Sequence, residues 1–218
     1  MTDRDPGALI AGIIDEFEGV NAAREQALAR GRHVIRASAN AIRAAHRGEL
    51  DIARAGAAEA SRLMSEIMEH VGDHSSLAGA GYVHDAMKEV AEAHITIAFL
   101  GDGPLPSPAD LGIASAAWLN GLAEAASELR RDALDSLRRN DVERAEALLR
   151  HMDSIYSELV TVDFPDAITG GIRRTTDQLR AVLERTRGDV TFALRQDRLE
   201  RLLASTEAAL ERSQQGLG

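Results

Sequence analysis

The sequence predicts an all-α fold, and three observations lead there. Alanine, leucine, glutamate and arginine dominate the 218 residues. Apolar positions recur three and four apart, the period of a helix with one buried face. No run alternates apolar with polar residues between turn signals, as a strand would. With 44% hydrophobic residues the chain can bury a sizeable core, and no shift in residue order divides it. The expectation is one domain over residues 1–218, a bundle of about seven helices, with 1–5 and 214–218 fraying. No repeat of 20 to 50 residues suggests a solenoid.

Breakers set the elements in order. A long first helix runs from about Pro6 to Ala45, turned back by His46-Arg47-Gly48-Glu49. A second spans about Asp51 to Val71. Gly72 to Gly81, with its Asp73-His74 step, reads as a loop, and the third helix that follows ends near Leu100. Gly101-Asp102-Gly103-Pro104-Leu105-Pro106-Ser107-Pro108 is the strongest break in the chain. The fourth helix starts at Pro108 or Ala109 and continues to about Arg139. Asn140-Asp141 offers an N-cap with an acidic first turn for a fifth helix to Val162. Asp163-Phe164-Pro165-Asp166 stops it. A sixth helix from about Ala167 to Arg187 and a seventh from Asp189 to Arg212 meet at Gly188.

Composition excludes several chemistries. There is no cysteine, so disulfides, thiolate nucleophiles and cysteine zinc sites are ruled out. No basic-then-apolar leader and no apolar run of roughly 20 residues is present, so a cytoplasmic chain without a membrane span is expected. A net charge of −10 argues against a simple basic nucleic-acid binder. With 3% aromatics and Trp118 the sole tryptophan, a row of base-stacking platforms is not expected; nucleic acid would be held by its backbone. Lys88 is the only lysine. The abundant arginine suits bidentate phosphate contacts, and equally reflects a GC-rich genome or salt adaptation.

The candidate chemistry lies in two carboxylate pairs, Glu89/Glu92 and Glu124/Glu128. Ala93 to Leu100 carries no formal charge, and between Leu111 and Ser127 the only one is Glu124. An ionised carboxylate in so apolar a stretch must raise its pKa or take a cationic partner. Residues three or four apart share a helix face, so each pair presents its oxygens toward one point, the outline of a divalent-cation site. The alternative is four ordinary glutamates, solvated or paired with Arg130 and Arg131. A di-iron bundle wants Glu-x-x-His on two helices, and the chain has no such motif. His94, about 200° around the helix from Glu92, is expected to pack in the core rather than act as a base.

A second candidate surface is basic. Arg32, Arg36, Arg43, His46 and Arg47 fall within an arc of roughly 100° on the first helix and its turn, a stripe that could track an RNA backbone. Glu49 and Asp51 lie near the same turn, so a self-neutralised solvated face is the competing reading. Arg173 and Arg174 are weaker candidates. Tyr156, Leu159, Val160, Val162 and Phe164 form an apolar cluster at a helix end, either interface or core.

With these elements placed, the sequence resembles the translin family, specifically its translin-associated factor X (Trax) branch. The resemblance covers about residues 20 to 205. It is carried by Arg32-His33-Val34-Ile35-Arg36-Ala37-Ser38 with Ile42 and His46-Arg47-Gly48-Glu49, and by Asp85-Ala86-Met87-Lys88-Glu89-Val90-Ala91-Glu92-Ala93. It continues in Gly121-Leu122-Ala123-Glu124-Ala125-Ala126-Ser127-Glu128-Leu129-Arg130-Arg131, and in Ile172-Arg173-Arg174 with Asp177, Leu183 and Glu184. Each piece is short; their joint order carries the weight.

The resemblance implies a magnesium- or manganese-dependent endoribonuclease, because acidic residues of the third and fourth helices form that branch's site. By motif match they fall on Glu89, Glu92, Glu124 and Glu128, with Glu128 orienting water or completing the metal shell. The family usually has Asp where Glu124 stands and often glycine where Ser127 stands. The resemblance also implies a closed, roughly octameric homo-oligomer with RNA handled inside, which favours single-stranded or short RNA. The alternatives are a non-catalytic translin-like oligomer binding RNA or single-stranded DNA, and a helical scaffold with no nucleic-acid role.

Overall fold

The computed structural model describes residues 6–72 and 74–215. Among them there are nine helices and no strand: α1 (Pro6–His46), α2 (Leu50–Val71), α3 (Ser75–Ala78), α4 (Gly81–Leu100), α5 (Pro108–Leu111), α6 (Ser115–Arg138), α7 (Val142–Leu159), α8 (Asp166–Thr169) and α9 (Ile172–Gln215). The all-α expectation holds. Three one-turn helices, α3, α5 and α8, lie in segments read as loops or as the starts of longer helices, and the expected sixth and seventh helices are one. Of the ends expected to fray, residues 1–5 and 216–218 lie outside the described residues, as does Asp73 of the Asp73-His74 step.

Relative to the seven expected helices, α3 is an addition, left-handed Gly170 and Gly171 (φ +62° and +86°) part α8 from α9, and two further glycines account for one split and one merger. Gly112 ends α5 with a φ of +63°, a left-handed conformation costly to any residue with a Cβ. The fourth helix therefore breaks there and restarts at Ser115. Gly188, expected to be a joint, sits inside α9. Leu179, Leu183, Thr186 and Val190 are buried on one stripe running past it, and continuous packing outweighs the roughly 1 kcal/mol helix penalty of a glycine. Asp141 caps α7 as expected, its side chain accepting from the Arg144 backbone N–H at 3.0 Å.

The chain forms two compact units, one of Met1–Ala125 with Phe164–Ile172, the other of Ala126–Asp163 with Arg173–Gly218. The boundary falls within α6. In the first unit α1 packs on α2 and α4, and α2 on α4. Their shared core is built largely of small side chains: Ala41, Ala44, Ala45, Ala53, Ala57 and Ala93, filled by Ile42 and Ile97. Alanine at helix contacts lets axes approach closely. The Gly101–Pro108 break is pinned by Trp118, whose indole N–H donates to the Pro106 carbonyl at 2.8 Å. Asn120, buried, donates to the Thr169 carbonyl at 2.8 Å and ties down α8.

The second unit buries Leu129 and Ala133 of α6, Leu148 and Met152 of α7, and Leu179 and Leu183 of α9. Arg130 ties α6 to α9, pairing with Asp189 and donating to the Thr186 hydroxyl. Of the apolar cluster at the end of α7, Leu159 is buried whereas Val160 and Phe164 are exposed, so it is not one core element. Both long helices also present apolar surface: Leu9, Ile13 and Phe17 on the first half of α1, Phe192, Leu199 and Leu203 on the last half of α9. Among the described residues no helix is long and apolar enough to cross a membrane.

Candidate metal centre

Helix α4 is mostly buried, with Val83, Ala86, Met87, Val90, Ala91 and Ala93 inside. Of its charged positions Asp85 is exposed, whereas Lys88, Glu89 and Glu92 are half-buried, between those apolar stripes. The N-terminal half of α6 is similar, with Ala117, Leu122, Ala123 and Ala125 buried around a half-buried Glu124. The two helices touch at Gly121. A Cβ there would stand 2.6 Å from the Ala91 Cβ, 2.7 Å from the Lys88 carbonyl oxygen and 3.0 Å from the Glu92 backbone nitrogen. No side chain fits. Backbone-to-backbone approach at this point brings Glu124, one turn further along α6, against the acidic face of α4.

The result is a three-carboxylate cluster. One oxygen from each of Glu89, Glu92 and Glu124 lies within 4.8 Å of the other two. Two oxygens on opposite sides of one magnesium ion stand about 4.2 Å apart, twice the roughly 2.1 Å bond. The ceiling of the cluster is close to that span, and an all-oxygen donor set is what a hard divalent cation takes. The residues fit such an ion.

A fourth charged group completes the cluster. The Lys88 ammonium donates to Glu124 Oε1 at 2.8 Å. Burial opposes its charge, but the hydrogen bond to Glu124 and the nearby charges of Glu124, Glu89 and Asp85 outweigh burial and hold it above the usual lysine range. Burial pushes the Glu89 carboxyl above the ordinary carboxylate range; Lys88 opposes this, and Glu124 and Asp85 reinforce it. The cation anticipated from the sequence was arginine, yet Arg130 is engaged by Asp189, and the partner is the chain's one lysine. The one sequence signal was that Lys88 is the chain's single lysine and adjoins Glu89; its pairing with Glu124, 36 residues away, has no local signature.

No protein-family model matches the chain. An uncharacterised protein of Methanocaldococcus jannaschii, MJ0175, is 26% identical over 203 residues, covering 91% of this chain and 88% of its own length. Among solved structures, AfC3PO, determined alone and in complex with duplex RNA, is 30% identical with a TM-score of 0.77, over 88% of this chain and 98% of AfC3PO. The chain belongs to the translin family. Apo-NeC3PO, 16% identical, shares the translin fold with a TM-score of 0.75 over 88% of this chain and 98% of its own.

Not every residue expected at the translin-family site joins the cluster. Glu128, four residues after Glu124 on α6, is not one of the three grouped carboxylates. It lines an open groove of about 740 Å³ with Ser127, Arg130, Arg131, Asp135 and Arg138. His94 is held by α2: its Nε2 is 2.9 Å from the Ser61 hydroxyl and 3.2 Å from the Ala57 carbonyl, and burial holds its pKa below the usual histidine value.

On the basic stripe, Arg32 and Arg36 are exposed and have no ion-pair or hydrogen-bond partner among the described residues. Arg43 is exposed and donates to Asn40 at 2.6 Å. His46 is half-buried as the last residue of α1. Arg47 lies beyond the helix, in the turn, where Glu49 neutralises it at 2.5 Å.

Proposed function

We propose that this chain is a Trax-like, metal-dependent endoribonuclease that hydrolyses RNA phosphodiesters at the Glu89, Glu92 and Glu124 cluster. The observation that carries this reading is the convergence of three half-buried carboxylates from two helices. Nothing structural is gained by crowding like charges there, since each raises the cost of ionising the next. A magnesium or manganese ion held by these oxygens would polarise a phosphoryl oxygen and lower the pKa of a water. Glu89, Glu92 and Glu124 would be its ligands, and their half-buried setting strengthens their hold by limiting water. Hydrolysis adds a water oxygen to phosphorus and breaks the bond to the departing ribose oxygen, which takes up a proton.

Arg32, Arg36 and Arg43 would position substrate, their guanidinium groups contacting backbone phosphates without reading sequence. His46 and Arg47 extend the stripe, with the charge of Arg47 already offset. The capture of duplex RNA by AfC3PO adds short duplexes to the single-stranded or short RNA expected from the sequence. The exposed apolar faces of α1 and α9 are what a homo-oligomer would cover, an octameric shell by the resemblance.

A labelled single-stranded RNA and a short duplex, incubated with magnesium or manganese beside a chelated control, test the reading. Cleavage should require the metal and fall at least about 10³-fold in the Glu89→Ala/Glu92→Ala variant, as loss of a metal site demands. Undiminished cleavage in that variant would overturn the assignment. The second reading, a non-catalytic oligomer binding RNA or single-stranded DNA, is favoured by one observation: Lys88 already neutralises part of the acidic charge. Salt-dependent retention of RNA without cutting would support it.

A further inference from the structure

We infer that Lys88 is the second cation of the acidic centre, taking the place that a second metal ion would occupy and offering its ammonium to the substrate phosphate. The inference rests on the metal-dependent reading above. Two-metal hydrolysis needs positive charge on both sides of the reacting phosphorus, with the cations about 4 Å apart. In this chain a covalently attached positive charge already stands against the cluster. The Lys88 nitrogen is 2.8 Å from Glu124 Oε1, so it occupies one oxygen of the acidic cluster itself.

Charge balance agrees. The three grouped carboxylates and the ammonium leave two negative charges, which one divalent ion neutralises; even with the exposed Asp85 nearby counted, a second ion would leave the centre with excess positive charge. The geometry also constrains where the ammonium can go. The Lys88 carbonyl oxygen lies at the Gly121 contact, where it would stand 2.7 Å from a Cβ at position 121. Its backbone is fixed by that contact, while its four-carbon stem lets the ammonium exchange a carboxylate oxygen for a phosphate oxygen without moving the helix.

The test is a calorimetric titration of the full chain with Mn²⁺, read beside cleavage of labelled RNA. The wild type should bind one ion per chain. Lys88→Gln removes the competing cation, so its Mn²⁺ affinity should rise about 10- to 100-fold, the range over which groups neighbouring the ligands tune metal sites. Its cleavage should fall about 10²- to 10³-fold at saturating metal, the usual cost of losing one charge stabiliser of a transition state. Lys88→Arg, which keeps the cation and guards against a folding defect, should retain the single ion and part of the cleavage. Two ions per wild-type chain, or a Lys88→Gln variant equal to wild type in affinity and cleavage, overturns the assignment of Lys88. If the wild type binds one ion, lost in Glu89→Gln/Glu92→Gln, while Lys88→Gln changes nothing, only the lysine assignment fails. If no form binds Mn²⁺, the metal-dependent reading fails and takes the inference with it.

Discussion

Three carboxylates on α4 and α6 and three arginines on α1 carry equal and opposite charge within one compact unit, yet they are held in opposite ways. Glu89, Glu92 and Glu124 are half-buried, within 4.8 Å of one another and coupled through Lys88. Arg32, Arg36 and Arg43 are exposed and successive along one helix. A crowded, partly desolvated cluster acts as a unit, so losing one member changes the charge balance of the rest. Exposed charges spaced along a helix act nearly independently and are screened by salt. The difference separates what a chemical centre requires from what a backbone-tracking surface requires.

The sharpest way to break the comparison is the Glu89→Ala/Glu92→Ala variant, which should abolish cleavage while leaving RNA retention on the arginine stripe intact. Next in size is Gly121→Ala. Its Cβ would meet backbone atoms that cannot move aside, so overpacking should cost about 1–3 kcal/mol and lower the melting temperature by about 2–12 °C, with weaker Mn²⁺ binding as Glu124 is pushed from α4. Gly19→Ala is its counterpart. Position 19 is exposed within α1 with open space around it, so the same substitution there should raise stability by up to about 1 kcal/mol. Equal effects at the two positions would count against the α4–α6 contact.

Replacing Arg32, Arg36 and Arg43 with alanine should weaken RNA binding similarly for every sequence tested. If each contacts one phosphate, the slope of log K against log salt flattens by about 2, at about 0.7 per contact on a single strand. An unchanged slope would move the RNA elsewhere. Glu89→Gln in metal-free buffer tests the cost of the cluster. Because burial raises the Glu89 pKa in the folded state, its contribution to stability is fully present below its unfolded pKa and is lost as pH rises through the folded one. Once ionised the group is therefore a burden, and above its folded pKa the glutamine variant should melt higher than wild type, with the gap closing in acid. Glu128→Gln should have the smallest effect on cleavage of any of the four glutamates, since Glu128 is outside the grouped oxygens.

Much of the fold was legible because helical period and capping are local. The limits of α2, α4 and α7 follow from Gly72, Gly101 and Asp141. Gly112 and Gly188 were not separable by local reading: one is left-handed and ends a helix, the other rides inside one because buried residues continue on both sides of it. At the site, the facing of Glu89 and Glu92 is a property of one helix and could be read from spacing. Their meeting with Glu124 could be expected only from the family resemblance. Lys88 was conspicuous as the single lysine, but its partner lies 36 residues away, beyond any periodicity argument.

By itself the sequence determined the all-helical class, the order of the long helices and the two charge-poor stretches in which acidic side chains stand out, because each depends on residues within a few turns of one another. The tertiary structure alone decided that Gly121 admits the backbone of α4, that three of the four glutamates converge, and that a lysine rather than an arginine completes their charge. Those outcomes depend on the distance between helices, set by the smallest side chains at their contact and invisible in the spacing of either helix.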